Sequence, residues 1–422
     1  MEKRINPLKA CGSIQAVPSK SAAHRALICA AFAQGSCRIN CPRSNEDIAA
    51  TVRCLRALGA EISETQQGFT VKPLARLNEQ AELDCGESGS TLRFMLSVVT
   101  ALGVNAKFMR RRHLAKRPLS PLYEVLTAHG AELSAQASEP FCAEGKIKGC
   151  AYQIDGAVSS QYISGLLLAM PLLKEPCTLE ITGEIASESY INLTLEMMRK
   201  FGVCPRREKG IFYFSGEETY QAPQEITVEG DWSNAAFFLA MRALKSEEGV
   251  TVRGLDLHSA QGDRAIGELL AEFGAVIEKD EAQGALKADK GTLKGIKIDA
   301  AQIPDLVPIL AVVAAAAEGR TEIYHAARLR LKECDRLAAL RDNLTALGAE
   351  IKETADGLII DGGRALKGAR VRGYNDHRII MSMAAAALLC DGTVTIDEAE
   401  AVSKSYPSFW EDWAKICEEA SE

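Results

Sequence analysis

The chain repeats one pattern of apolar and polar positions. Five segments carry an amphipathic helical run that ends at a glycine and is followed by a short apolar stretch. A glycine at this point supplies the left-handed backbone that caps a helix, so each segment predicts a helix, a cap and a strand. Their spacing of 71 to 74 residues indicates an internal repeat. The five cap glycines are Gly59, Gly130, Gly202, Gly274 and Gly348.

A second series of nearly continuous apolar runs alternates with the first. A helix that is apolar on all sides belongs in the middle of a domain. Six such runs in 422 residues predict an α/β protein of six units of about seventy residues, three in each of two domains. The runs cover residues 26–35, 94–103, 166–173, 237–244, 309–319 and 379–392.

The end of the chain indicates how the sixth unit is completed. The last capped helix is expected within residues 407–420, and too little chain follows it for another strand. We therefore expect residues 4–8 to supply that strand, so that both termini lie in one domain. This domain is predicted to span 1–13 plus 231–422, and the other 14–230. Further strands are predicted at 68–73, 178–183, 225–230, 295–300 and 393–399, where β-branched or alternating residues occur.

Small polar or charged residues precede every apolar helix. Ser21, Ser159 and Asp231 have an ordinary explanation as helix caps. Caps do not explain cations near helix starts, which oppose the helix dipole unless an anion is bound there. We therefore interpret these cations as an anion site. They are Lys20, Arg25, Arg93 and Arg378.

The segments before the amphipathic helices add Arg117, Ser187, Tyr190 and Lys404. By itself Lys404 has the pattern of a solvated surface lysine. The run 332–336 (Lys-Glu-Cys-Asp-Arg) likewise fits a solvated helix face with paired charges. Both alternatives remain open at this point.

Composition narrows the class of partner. The apolar fraction of 47% excludes a mainly disordered chain. The net charge of −7 argues against nucleic acid or an anionic membrane as the main partner. The longest apolar run, 306–317, is too short to span a bilayer, and residues 1–13 lack the apolar core of a signal peptide. We expect a soluble, cytoplasmic protein.

The sequence lacks the common motifs that bind metals or nucleotides. Thirteen scattered cysteines without a C-x-x-C pair predict reduced thiols rather than a zinc site. No H-x-x-H, H-E-x-x-H, P-loop or G-x-G-x-x-G motif occurs, so no metal and no dinucleotide is predicted.

Seven motifs, in order and spacing, resemble the shikimate-pathway enolpyruvyl transferases. They are PSKSAAHRALICAA, CGESGSTLRFM, KRPLSPL, SSQYISGLLLA, SESYINLT, LKECDRL and YNDHRIIMSMAAA. The resemblance covers nearly the whole chain. It implies an inside-out α/β barrel fold of two domains, each with three βαβαββ units. It also implies transfer of an enolpyruvyl group from phosphoenolpyruvate to the 5-hydroxyl of shikimate-3-phosphate, without cofactor or metal and by a monomer.

The resemblance also implies roles for residues at the matching positions. Asp305 would be the general base, and Glu333 with Lys20 the acid and proton relay. Shikimate-3-phosphate would be bound by Lys20, Ser21, Arg25, Ser159, Ser160, Gln161, Ser187, Tyr190, Asp305 and Lys332. Phosphoenolpyruvate would be bound by Lys20, Gly89, Arg117, Gln161, Arg336, Arg378 and Lys404.

The chain departs from the family pattern at several positions, among them Glu87. Glu87 stands where many members have asparagine, and a carboxylate beside a phosphate site is unfavourable. It could be protonated, turned away or paired with a cation.

Two other functions compete. A related enzyme transfers enolpyruvyl to UDP-N-acetylglucosamine, but it typically has Lys-Asn near the N-terminus and a loop cysteine. Here Lys20 precedes Ser21, and residues 103–117 contain no cysteine. A non-catalytic anion-binding scaffold on the same repeat is the second alternative.

Overall fold

The computed structural model describes residues 1–6, 8–245 and 250–419 of the chain. Helices and strands alternate along its length. The α-helices are α1 (Lys20–Ala31), α2 (Glu46–Ala57), α3 (Gly89–Leu102), α4 (Leu122–Ala128), α5 (Ser160–Leu173), α6 (Glu188–Lys200), α7 (Trp232–Lys245), α8 (Ile266–Phe273), α9 (Val307–Ala316), α10 (Arg336–Ala346), α11 (His377–Ala387) and α12 (Phe409–Ile416). Short 3-10 helices cover Arg112–Lys116, Gly262–Ala265, Ala327–Leu331 and Ala399–Lys404.

The strands are short and numerous. They are β1 (Lys3–Ile5), β2 (Leu8–Ala10), β3 (Gly12–Gln15), β4 (Cys37–Asn40), β5 (Glu61–Thr65), β6 (Gly68–Lys72), β7 (Gln80–Gly86), β8 (Asn105–Arg110), β9 (Ala131–Leu133), β10 (Phe141–Gly145), β11 (Ala151–Asp155), β12 (Cys177–Thr182), β13 (Arg206–Glu208), β14 (Ile211–Phe214), β15 (Glu225–Thr227), β16 (Val250–Arg253), β17 (Val276–Asp280), β18 (Ala285–Asp289), β19 (Lys297–Asp299), β20 (Gly319–Tyr324), β21 (Glu350–Glu353), β22 (Leu358–Gly362), β23 (Leu366–Lys367), β24 (Arg370–Val371), β25 (Cys390–Asp391), β26 (Val394–Ile396) and β27 (Cys417–Glu419).

The chain forms two compact units. The terminal unit comprises Met1–Val17 and Glu229–Glu422, and the inserted unit comprises Pro18–Val228. The crossings thus lie after residues 17 and 228, where the sequence suggested 13 and 230. Each unit has its own hydrophobic core.

The sheets show the repeat directly. Five four-stranded sheets share one order, with a parallel pair followed by two antiparallel pairings: β15-β4-β6-β5, β7-β8-β10-β9 and β11-β12-β14-β13 in the inserted unit, and β3-β16-β18-β17 and β19-β20-β22-β21 in the terminal unit. With the helices between the strands, each set is one βαβαββ unit. The predicted strands at 68–73, 178–183, 225–230, 295–300 and 393–399 all overlap strands of these sheets or of the sixth.

The sixth repeat is completed by the N-terminus. Strand β26 pairs in parallel with β24 and in antiparallel with β1, in the register Lys3 to Ile396. The prediction that the N-terminal segment supplies a strand of this repeat is confirmed. The expectation that too little chain follows the last helix for another strand is wrong, because α12 already ends at Ile416 and β27 then pairs in antiparallel with β2.

The six apolar runs form the buried helices α1, α3, α5, α7, α9 and α11. In the inserted unit α3 packs against α5, and in the terminal unit α9 packs against α11 and α7. All residues of α9 from Val307 to Ala315 are buried, as the absence of a polar face requires. The five cap glycines have positive φ as predicted, and at Gly59 a Cβ atom would lie 2.5 Å from the carbonyl oxygen of Arg76.

Two further sequence expectations can be compared with this fold. All thirteen cysteines are free thiols. No helix in the described ranges is long and apolar enough to cross a membrane.

Candidate active site

The buried helices begin at polar caps, but one cap differs from the prediction. Ser19, not Ser21, caps α1, because its Oγ accepts from the backbone N–H of Ala22 at 3.3 Å. Ser159 caps α5 and Asp231 accepts from the N–H of Asn234 at 2.8 Å, as expected. The side chain of Ser21 is therefore not used as the cap of its helix.

Two of the four cations lie deeper in their helices than the dipole argument assumed. Lys20 and Arg378 are the first and second residues of α1 and α11. Arg25 and Arg93 are the sixth and fifth residues of α1 and α3, beyond the first turn. The unusual feature of these two arginines is their burial, since Arg25 is only 2% exposed and Arg93 only 4%.

Arg25 is a buried cation at the centre of a polar group. Its guanidinium donates to the carbonyl oxygens of Ser21 at 2.7 Å and Tyr190 at 3.1 Å, and to the hydroxyl of Thr194 at 2.7 Å. Burial lowers the pKa of Arg25 to about 10. Among the residues that the structure describes, no carboxylate forms an ion pair with Arg25. The region therefore favours an anion.

A second group in the inserted unit surrounds Gly89. Nη1 of Arg93 donates to Oε1 of Gln161 at 2.6 Å, and Nε2 of Gln161 donates to Oγ of Ser90 at 2.9 Å. A Cβ atom on Gly89 would lie 2.6 Å from Nη1 of Arg93 and 2.8 Å from Nη1 of Arg117. The structure thus brings Gly89, Arg93, Arg117 and Gln161 together, and only glycine leaves both guanidinium groups in place.

The remaining candidates of the inserted unit lie at helix starts. Lys20 Nζ forms an ion pair with Asp47 Oδ2 at 2.8 Å. Ser160 is the first residue of α5, and Ser187 precedes α6 with a left-handed φ of 56°. Helix α6, which carries Tyr190, packs against α1 and α5.

Glu87 lies within ion-pairing distance of a cation. Its Oε1 is 3.6 Å from Nη1 of Arg112, whose side chain is largely exposed. A nearby cation is thus observed for this position, as one of the three possibilities requires.

In the terminal unit, Asp305 accepts contacts from three cations. Its carboxylate lies 2.9 Å from Nη1 of Arg336, 3.3 Å from Nζ of Lys332 and 3.4 Å from Nη2 of Arg378. Arg378 also donates to the backbone oxygen of Asp305 at 3.2 Å. Three cations of the terminal unit thus converge on this one carboxylate.

Arg336 connects Asp305 to two further acids. It pairs with Glu333 at 2.8 Å and with Asp376 at 2.7 Å, and its side chain is 1% exposed. Burial alone would lower the pKa of Arg336, but the three carboxylates raise it above its ordinary value. The alternative of a solvated helix face for residues 332–336 is therefore wrong.

Lys404 is also buried, at 5% exposure, and its Nζ donates to the backbone oxygen of Asn375 at 2.7 Å. The alternative of a solvated surface lysine is wrong. Its position at the end of the 3-10 helix Ala399–Lys404 places it beside the turn that leads into α11.

Sequence reasoning missed three acids. Asp47 pairs with Lys20, Asp376 holds Arg336, and Asp263 is a fully buried carboxyl group within electrostatic reach of Asp305 and Arg378. Asp376 stood in a quoted motif but had no assigned role. Asp47 resembles an ordinary first-turn acid of α2, and nothing in the sequence around Asp263 distinguishes it from a loop residue. No group of three or more His, Cys, Asp or Glu within the described ranges could hold a metal ion.

Comparison with known proteins identifies the family of this chain. The family model described as EPSP synthase (3-phosphoshikimate 1-carboxyvinyltransferase) matches residues 5–413. The chain belongs to this family. A 3-phosphoshikimate 1-carboxyvinyltransferase of Clostridium kluyveri is 40% identical over 99% of this chain and 98% of that protein. Another, from Clostridium perfringens strain 13, is 42% identical over 98% and 97%.

Solved structures agree with this assignment. EPSP synthase from Acinetobacter baumannii superposes over 100% of both chains with a TM-score of 0.81 and 27% identity. The enolpyruvyl transferase NikO from Streptomyces tendae shares the fold, with a TM-score of 0.77 and 18% identity over 99% of each chain. The chain is therefore a transferase of the EPSP synthase family with the predicted enolpyruvyl transferase fold. The resemblance drawn from the motifs is confirmed.

Proposed function

We propose that this chain transfers the enolpyruvyl group of phosphoenolpyruvate to the 5-hydroxyl of shikimate-3-phosphate and releases phosphate. The observation that carries this proposal is the Asp305 cluster, where an acid expected to act as base is contacted by Lys332, Arg336 and Arg378. Membership of the EPSP synthase family gives the reaction.

The inserted unit supplies most of the proposed ligands of shikimate-3-phosphate. These are Ser21, Arg25, Ser159, Ser160, Gln161, Ser187 and Tyr190, together with Lys20. Arg25 supports the proposal because it is buried without a carboxylate partner in the described part of the chain, and an anionic substrate would supply the missing charge. Asp305 and Lys332 are also proposed ligands of shikimate-3-phosphate.

Phosphoenolpyruvate would be bound mainly by guanidinium and ammonium groups. Its phosphate and carboxylate suit bidentate contacts with arginine. Gly89 supports this assignment, because the missing side chain keeps the guanidinium group of Arg117 in place. The proposed set is Lys20, Gly89, Arg117, Gln161, Arg336, Arg378 and Lys404.

The proposed chemistry has two steps. Asp305 removes the proton of the 5-hydroxyl, whose oxygen bonds to C2 of phosphoenolpyruvate, while Glu333 with Lys20 delivers a proton to the methylene carbon. The tetrahedral intermediate then loses phosphate from C2 and a proton from the new methyl group, which restores the double bond. Side-chain cations stabilise the developing charges, so no metal or organic cofactor is proposed.

We further propose that the enzyme works in the cytoplasm as a monomer. The thirteen free thiols support a reducing compartment. The monomer is what the family resemblance implies.

The test is phosphate release from phosphoenolpyruvate, measured with shikimate-3-phosphate and separately with UDP-N-acetylglucosamine. We expect release only with shikimate-3-phosphate. Asp305→Asn and Lys20→Met should each lower kcat by roughly 10²- to 10⁴-fold while circular dichroism stays unchanged. Matched controls are Asp391→Asn and Lys200→Met, which change exposed residues outside the proposed site.

Release with the sugar nucleotide alone, or with neither acceptor, would overturn the proposed reaction. Near-parent kcat in both site variants would remove Asp305 and Lys20 from the chemistry.

A further inference from the structure

The turn that leads into α11 is strained. Tyr374 and Asn375 are consecutive non-glycine residues with φ of 51° and 50°. Left-handed backbone of this kind is uncommon outside glycine, and it persists only where surrounding contacts hold it. Asparagine tolerates it better than most residues, but tyrosine does not.

Two adjacent carboxylates hold this turn through its backbone. Oδ1 of Asp397 accepts from the N–H of Gly373 at 2.6 Å. Oε2 of Glu398 accepts from the N–H of Asn375 at 2.8 Å. Both acids follow strand β26, so the sheet fixes their position.

The other side of Asn375 binds Lys404. The carbonyl oxygen of Asn375 accepts from Nζ of Lys404 at 2.7 Å. Asn375 is thus held from both sides, by Glu398 at its N–H group and by Lys404 at its carbonyl group. The next residue, Asp376, caps α11 and pairs with Arg336. Arg378 is the second residue of that helix.

Glu398 is joined to Lys404 by a second route. It has a left-handed φ of 51° and immediately precedes the 3-10 helix that ends at Lys404. One residue therefore begins the helix that carries Lys404 and also fixes the peptide that binds its ammonium group.

We propose that Glu398 is a positioning residue for phosphoenolpyruvate binding, acting through the backbone of Asn375 on Lys404. This inference rests on the proposed role of Lys404 in binding phosphoenolpyruvate. Glu398 itself is exposed, so its removal leaves the core intact and exposes the Asn375 N–H to water. The expected result is a loosely held Lys404 in a folded enzyme.

The experiment compares Glu398→Ala, Glu398→Gln and Glu400→Ala in the full-length enzyme. Glutamine keeps an acceptor oxygen for the Asn375 N–H but removes the charge. Glu400 is an exposed acid two residues away whose carboxylate pairs with the N-terminal amine, so it controls for loss of charge in this segment. Steady-state KM is measured for both substrates, with kcat and Tm.

We expect Glu398→Ala to raise KM for phosphoenolpyruvate by about tenfold, the effect of one hydrogen bond of typical strength. KM for shikimate-3-phosphate and Tm should stay near the parent values. Glu398→Gln and Glu400→Ala should both behave like the parent. An unchanged KM in Glu398→Ala, an equal defect in Glu398→Gln, or an equal rise in both KM values would overturn the inference.

A parallel Lys404→Met variant separates this inference from the proposed function. If Lys404→Met leaves KM for phosphoenolpyruvate unchanged, the proposed site is wrong. If it raises that KM and Glu398→Ala does not, only the role of Glu398 is wrong.

Discussion

Asp263 is a buried carboxyl group whose surroundings favour its protonated form. Burial, and then the negative charge of Asp305, raise the pKa of Asp263 to about 6. The charge of Arg378 and a hydrogen bond from Ser233 act in the opposite direction but do not cancel the rise. Asp231 is a further carboxylate close enough to oppose ionisation. The folded protein therefore binds this proton more tightly than the unfolded chain does.

The predicted consequence is a loss of stability as pH rises. The raised pKa means that the contribution of Asp263 is fully present below about pH 4 and is lost as pH rises to and through about 6. Asp263→Asn cannot ionise, so its free energy of unfolding should lack this loss. The difference in free energy of unfolding between the parent and Asp263→Asn should change by on the order of 2–3 kcal/mol between pH 4 and pH 7.5.

Urea unfolding of the parent and Asp263→Asn across this pH range checks the prediction. Asparagine keeps an acceptor for Ser233, and the other titrating groups are common to both proteins. Parallel curves of unfolding free energy against pH would show that Asp263 ionises as freely in the folded protein as in the unfolded chain.

Single residues differ in how well the sequence predicts them. Lys20 and Arg378 could be found because the apolar pattern fixes where α1 and α11 begin, and a cation there contradicts the helix dipole. Their partners could not be found in the same way. Asp47 and Asp263 lie on elements distant in sequence from the residues that they contact or influence. A single sequence does not show which distant elements pack together.

Two serines at the start of α1 are expected to have different roles, one in capping the helix and the other in binding substrate. Ser19 supplies the cap, whereas Ser21 is the second residue of the helix and a proposed ligand of shikimate-3-phosphate. We predict that Ser19→Ala lowers the free energy of unfolding by about 1 kcal/mol with little change in KM. Ser21→Ala should instead raise KM for shikimate-3-phosphate about tenfold with little change in stability.

Denaturant titrations and steady-state kinetics on the two variants check this pair, and each variant is the control for the other. A reversed pattern, in which Ser21→Ala destabilises the protein and Ser19→Ala weakens binding, would assign the cap to Ser21 after all.

The elements themselves were more predictable than their caps. Glycines after amphipathic runs identify helix ends because only glycine adopts the left-handed cap cheaply, and all five predicted positions have positive φ. The choice between Ser19 and Ser21 as cap depends on a one-residue shift of the helix start. Apolar periodicity does not resolve such a shift, since both positions precede the apolar run.

The whole chain is a sixfold repeat with two exchanged strands. Strand β3 pairs with β16 and precedes α7 in its repeat, although α7 lies more than two hundred residues later. Strand β15 is displaced in the same way. It precedes α1 in its repeat and pairs in parallel with β4, although in the chain it comes long after both. The repeat period could be counted from the sequence. The crossing residues could not be located to the residue, because no change of composition marks them.

This division predicts which part of the chain folds alone. The inserted unit, Pro18–Val228, is continuous and contains three complete four-stranded sheets around its own core. Residues 229–422 alone lack β1, β2 and β3, which pair with β26, β27 and β16 of the terminal unit. We therefore expect the 18–228 fragment to unfold cooperatively, and the 229–422 fragment to do so only when residues 1–17 are supplied as a peptide.

Far-UV circular dichroism and calorimetry of the two fragments, the second with and without the peptide, test this division. A scrambled peptide of the same composition controls for nonspecific stabilisation. A cooperative transition in 229–422 without the peptide would mean that β1, β2 and β3 are dispensable. A non-cooperative 18–228 fragment would mean that its core is not self-sufficient, and that burial within a unit does not by itself define what folds.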